Sequence, residues 1–117
     1  QIDIHKITCV LDCGPTHNPH LVHQQVEGSI IFGLNAVILG EINVQNGQIV
    51  ESNYDDYKML RLKDTPPIDV HLVASSAKQG RIGEIGTPVI GPAVANAVFA
   101  ATGKRIRRLP IRKEDLA

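Results

Sequence analysis

The chain has 117 residues, 43% of them hydrophobic, with 12 Lys and Arg balancing 12 Asp and Glu. That length suits one modest core, so residues 1–117 are read as a single domain. Zero net charge gives no overall field to gather nucleic acid or an anionic membrane, and two Phe, two Tyr and no Trp leave little to stack on bases.

No apolar run is long enough to span a bilayer, and the N-terminus shows no signal-peptide pattern. Gln1 to Asp12 reads as a strand, because Ile2, Ile4, Ile7, Thr8, Val10 and Leu11 favour extended backbone. It stops at the turn cluster Asp12-Cys13-Gly14-Pro15. Cys9 and Cys13 are the only cysteines. In an extended strand they stand about 13 Å apart, beyond the ~7 Å reach of a disulfide. Two thiols also fall short of the four ligands an iron–sulfur cluster takes.

Asn18 is placed to cap a helix whose first residue is Pro19. Leu21, Val22, Val26, Ile30, Phe32, Leu34, Ile38 and Leu39 make it apolar around most of its girth, the pattern of a buried helix; Gly40 closes it. His17, His20 and His23 recur every third residue, but His17 precedes the cap and no carboxylate or cysteine completes a metal site. Solvated histidines at a helix start account for them. Gln25, Gly28, Ser29 and Phe32 share one helix face. Gly28 and Gly33 each lower helix stability by roughly 1 kcal/mol against alanine, which points to close approach of backbone or ligand. Gln25 reads equally as a satisfied buried amide or as a ligand contact.

Ile42 to Gln45 and Gln48 to Glu51 flank Asn46-Gly47, the dipeptide that tolerates the positive φ of a type I′ hairpin turn. Ser52 to Pro67 is polar and irregular. From Ile68 to Ala74 apolar and polar residues alternate, as in a half-buried strand. Gly80-Arg81-Ile82-Gly83-Glu84-Ile85-Gly86-Thr87-Pro88 then sets one carboxylate among three glycines, before an apolar helix expected from about Pro92 to Ala101. The everyday reading of Glu84 is a carboxylate favoured by the helix dipole. Lys104-Arg105-Ile106-Arg107-Arg108 reads as a solvated run of cations ending that helix. These elements support an α+β fold, two buried helices packed on a mixed or antiparallel sheet.

Several of these motifs carry a resemblance. Leu11-Asp12-Cys13-Gly14, Asn18-Pro19, Gln25-Val26-Glu27-Gly28, Arg81-Ile82-Gly83-Glu84, Gly86-Thr87-Pro88 and Gly91-Pro92-Ala93-Val94-Ala95-Asn96-Ala97 occur in order over nearly the whole chain. Together they resemble the C-terminal part of a molybdenum hydroxylase large subunit, the family of xanthine dehydrogenase and aldehyde oxidase. The tail from Phe99 to Pro110 is most similar to the bacterial isoquinoline 1-oxidoreductase branch (beta subunit). Where that family usually has proline after the Gly-Glu pair, Ile85 stands here, and its φ is not locked by a ring.

The resemblance implies a molybdenum–molybdopterin cofactor and [2Fe-2S] clusters on a partner subunit. It implies hydroxylation of an N-heteroaromatic or aldehyde carbon with oxygen drawn from water. Gln25, through its amide, and Gly83 would be cofactor-binding residues, and Glu84 would be the general base. A closed, poorly hydrated site would raise the pKa of that carboxylate and suit it to proton transfer. No protein ligand to the molybdenum is expected. The remainder of the large subunit, an iron–sulfur small subunit and a small-molecule substrate are the implied partners, in a bacterial cytoplasm or periplasm. The 117-residue piece alone is expected to be inactive and to self-associate. The competing readings are a non-catalytic scaffold on the same fold and a phosphate-binding glycine loop. That loop lacks the Gly-Lys-Ser/Thr ending of a P-loop.

Overall fold

The computed structural model describes residues 2–116, so the Gln1 end of the first expected strand lies outside the described residues. Strand β1 is Ile7–Leu11, shorter than the apolar pattern suggests, and it is followed by helix α1, Pro19–Ile38. The hairpin strands β2 (Val44–Gln45) and β3 (Gln48–Ile49) come next, then β4 (Ile68–Leu72) and helix α2 (Thr87–Thr102). Short 3-10 turns occupy Leu62–Asp64 and Lys113–Leu116.

The α+β class holds, with the strands divided between two separate sheets. β1 pairs parallel with β4, Ile7 opposite Ile68 and Leu11 opposite Leu72. Backbone bonds from Ile7 N–H to the Pro67 carbonyl (2.9 Å) and from Val73 N–H to the Leu11 carbonyl (2.8 Å) extend the ladder at both ends. A parallel pair needs a long crossover, and α1 with the hairpin and the irregular stretch supplies it. The Asn-Gly turn forms as the dipeptide dictates, with φ of 52° at Asn46 and 77° at Gly47.

α1 begins where the sequence says. Asn18 Oδ1 accepts from Leu21 N–H at 3.2 Å and Pro19 opens the first turn. Its all-round burial is not observed. Val22, Val26, Ile30 and Leu34 face the core, while Leu21 and Phe32 are 58% and 70% exposed. An apolar girth shows only that a helix could be surrounded; within the described residues α2 and β4 cover its buried side. α2 likewise buries a single stripe, Ile90, Val94 and Val98.

α2 also starts earlier than expected, at Thr87, with Pro88 in its first turn and Pro92 inside it. Pro92 forgoes one ladder bond, to the Pro88 carbonyl, but only two turns into the helix, where the packing of Ile90 and Val94 carries the segment. Gly103, at φ 74°, ends the helix by donating to the Phe99 carbonyl at 2.7 Å.

The two helices cross at glycines. A Cβ on Gly33 would lie 2.6 Å from the Thr87 carbonyl oxygen and 2.9 Å from its Cα. Gly28 is different: among the described residues nothing lies within 4 Å of a Cβ there, so no close approach accounts for that glycine. Asn35, buried on α1, accepts from Leu60 N–H at 2.7 Å and donates to the Tyr57 hydroxyl at 3.3 Å, tying down part of the polar stretch after the hairpin. Several cations near the C-terminal end have partners. Arg105 sits 3.8 Å over the Phe99 ring, Arg108 pairs with Asp115 at 3.5 Å, and Arg112 pairs with Glu41.

Candidate functional site

The site grows from α1 and two loops. At the end of β1, Asp12 Oδ1 accepts from Gly14 N–H at 3.1 Å, shaping the turn. Gly14 has φ 72°, and a Cβ there would meet the Ala77 carbonyl at 2.7 Å, so only glycine lets the two loops touch. Gly80 N–H closes the contact by donating to the Cys13 carbonyl at 2.9 Å. Cys13 is buried at this junction and both cysteines are free thiols. The glycine loop is thereby laid alongside the start of α1.

Between them lies an open cleft of about 430 Å³, whose walls include His17, Gln25, Gly80 and Gly83. Gln25 Nε2 donates to the Gly83 carbonyl at 2.5 Å, joining residues 58 positions apart. Its Oε1 and second N–H have no partner among the described residues, so the amide retains an acceptor and a donor for a ligand. Gly83 meets nothing within 4 Å where a Cβ would stand, which leaves its backbone open to close approach.

Glu84 follows in the turn formed by residues 83–86, exposed and outside the cleft's lining. Among the described residues its carboxylate has no hydrogen-bond or ion-pair partner. The enclosure expected around a general base is therefore not supplied by this chain's described residues. Carboxyls held below their usual range lie elsewhere: Asp69, by a hydrogen bond and charge from Lys6 at 2.5 Å, and Glu51, by hydrogen bonds from Asn43.

The structure thus brings Gln25 and Gly83 into contact and sets Glu84 next to them in the chain. Of the residues sharing the Gln25 face, Ser29 also meets this turn, whereas Phe32 points to solvent. Sequence reasoning gave Ser29 no role of its own. A serine in mid-helix, where hydroxyl side chains compete with the backbone, was the available signal. Among the described residues no group of three or more His, Cys, Asp or Glu could hold a metal ion, and no helix is long and apolar enough to cross a membrane.

The chain is similar to known proteins over most of its length. Residues 1–66 match the family model described as a molybdopterin cofactor-binding domain. A membrane-bound aldehyde dehydrogenase (pyrroloquinoline-quinone) of Gluconacetobacter polyoxogenes is 38% identical over 95% of the chain. Isoquinoline 1-oxidoreductase subunit beta of Brevundimonas diminuta is 36% identical over 95%. The chain spans only 14% of each of these relatives. Among solved structures, quinoline 2-oxidoreductase from Pseudomonas putida 86 superposes with a TM-score of 0.82 at 26% identity, covering 92% of this chain and 15% of its own.

Proposed function

The chain belongs to the molybdopterin cofactor-binding domain family, and on that premise we propose that it forms one wall of the active site of a molybdenum-cofactor-dependent hydroxylase. The observation that carries this is the bond between Gln25 and Gly83 across the cleft. It leaves a free amide edge and an uncovered glycine backbone beside a solvent-facing carboxylate.

The residues fit the group. A pterin ring presents donors and acceptors in its plane, and Gln25 offers one of each. Gly83 provides room against the backbone, and the residues lining the cleft include no Asp, Glu, Lys or Arg. The name of one relative carries a different cofactor, pyrroloquinoline quinone. Residues 1–66 match a molybdopterin cofactor-binding domain, and on that ground the pterin is the better match.

When bound, the cofactor supplies the oxidising chemistry that hydroxylation needs. This chain contributes binding and proton handling. Gln25 orients the heterocycle, and Glu84 accepts at a carboxylate oxygen the proton released as water-derived oxygen joins the substrate carbon. The substrate class is an aldehyde or an N-heteroaromatic, and electrons leave through iron–sulfur centres on a partner subunit. Enclosure of Glu84 comes from surfaces outside this chain, which spans a small share of its relatives.

Gln25→Ala in the complete protein tests the reading, with molybdenum and pterin content set against melting temperature. We expect cofactor content to fall at least tenfold at matched loading, while stability changes by about 1 kcal/mol, the value of one neutral hydrogen bond. Full occupancy with a large loss of melting temperature would make Gln25 an ordinary structural amide. A complete protein that never carries molybdenum would favour the scaffold reading.

A further inference from the structure

Nothing in the turn's own covalent structure holds Glu84 still. Ile85 leaves φ free, the glycines at 83 and 86 add freedom on either side, and the side chain is exposed. Besides the turn's own bond from Thr87 N–H to the Glu84 carbonyl (3.1 Å), three hydrogen bonds tie it to one face of α1. Gln25 Nε2 donates to the Gly83 carbonyl (2.5 Å), Gly86 N–H donates to Ser29 Oγ (3.0 Å), and Thr87 Oγ1 donates to the Ser29 carbonyl (3.0 Å).

Gln25 and Ser29 stand one helical turn apart, so they grip the turn on both sides of Glu84. Ser29 Oγ spends its own hydrogen on the Val26 carbonyl at 2.8 Å, which aims its lone pairs at Gly86. The contact is dry: Ser29 is 6% exposed and Gly86 is buried. It is also close. A Cβ on Gly86 would fall 2.5 Å from Ser29 Oγ and 2.9 Å from the Ile30 nitrogen, so glycine is what lets the turn seat on the hydroxyl.

We propose that Ser29 is a positioning residue for Glu84, its hydroxyl and carbonyl anchoring the turn to the helix that carries Gln25. The inference rests on Glu84 being the base. α1 then acts as a common rail, so that the base and the cofactor-binding amide keep one spacing.

The test uses Ser29→Ala and Thr87→Val in the complete protein, with molybdenum content equalised between variants. Each should lower kcat roughly ten- to a hundredfold, as sub-ångström to 1 Å misplacement does, with KM within about twofold. Exchange of the Gly86 amide should quicken at least tenfold, while the buried amides of Ile30 and Leu34 keep their protection. On a Glu84→Gln background Ser29→Ala should lower the rate no further, because it acts only through that carboxylate. A kcat within about twofold of wild type, despite faster exchange at Gly86, would leave Ser29 a purely structural contact and overturn the proposal. Unchanged exchange would overturn it too, by showing that the bond does not hold the turn. If Ser29→Ala fails to fold, Thr87→Val decides by the same criteria. Glu84→Gln at full rate would sink the base assignment, while Gly86 exchange would still report whether the anchor exists.

Discussion

Glu84 illustrates how little a single residue's surroundings in this chain have to say about its chemistry. Its carboxylate is exposed and unpartnered among the described residues, which is also how a solvated loop residue looks. Substitution separates the two. In the complete protein, Glu84→Gln keeps the shape and one acceptor but cannot take a proton. A general base lost in this way lowers turnover by at least roughly 10²-fold, with stability within about 0.5 kcal/mol of wild type, as expected for an exposed side chain. Steady-state rates at equal molybdenum content decide, and a variant retaining more than about a tenth of the wild-type rate removes Glu84 from the chemistry.

At the scale of elements, the helix crossing and the parallel strand pair each make a prediction. Gly28 and Gly33 look alike in the sequence, but α2 sits on Gly33 and open space lies beyond Gly28. Gly28→Ala should therefore stabilise the fold by up to about 1 kcal/mol through helix propensity alone. Gly33→Ala drives a methyl into the Thr87 backbone and should cost about 1–3 kcal/mol net. Urea denaturation of the pair checks the contrast, and equal responses would contradict the crossing geometry. Between β1 and β4, Lys6 holds the Asp69 carboxyl below its ordinary 3.8 through a hydrogen bond and its charge. A depressed carboxyl contributes stability that is fully present above 3.8 and is lost as pH falls through the lower folded value. Wild type should therefore exceed Asp69→Asn in stability at neutral pH by a small, salt-screened margin, since both groups are half exposed. Melting curves should converge below the folded-state pKa. A gap that persists in strong acid would mean the pair is not its source.

The whole molecule is looser than its length warrants. Its radius of gyration is 16.4 Å, against about 13 Å for a self-contained domain of this size. Leu21, Phe32, Val89 and Leu109 stand among its exposed large apolar side chains. Surface of that kind usually meets other protein, which accords with a chain spanning 14% of its relatives. The isolated 117-residue polypeptide should accordingly self-associate and bind no stoichiometric molybdenum. Sedimentation velocity and metal analysis check both, and a cofactor-loaded monomer would show that the cleft needs no further walls.

Local chemistry was legible in the residues themselves. Asn18-Pro19 opens α1, Asn46-Gly47 turns the hairpin, and the alternation in β4 marks its buried side, because caps, turns and pleats depend on neighbours a few positions away. The contact between Gln25 and Gly83 was not legible, since nothing in their spacing says that positions 58 apart will touch. Tertiary structure decided the rest. It paired β1 with β4 in parallel, moved the start of α2 ahead of Pro92, and gave Ser29 a partner in Gly86. It also left one side of each apolar helix uncovered, because burial depends on which surfaces a fold brings together, and periodicity records only which surfaces could be buried.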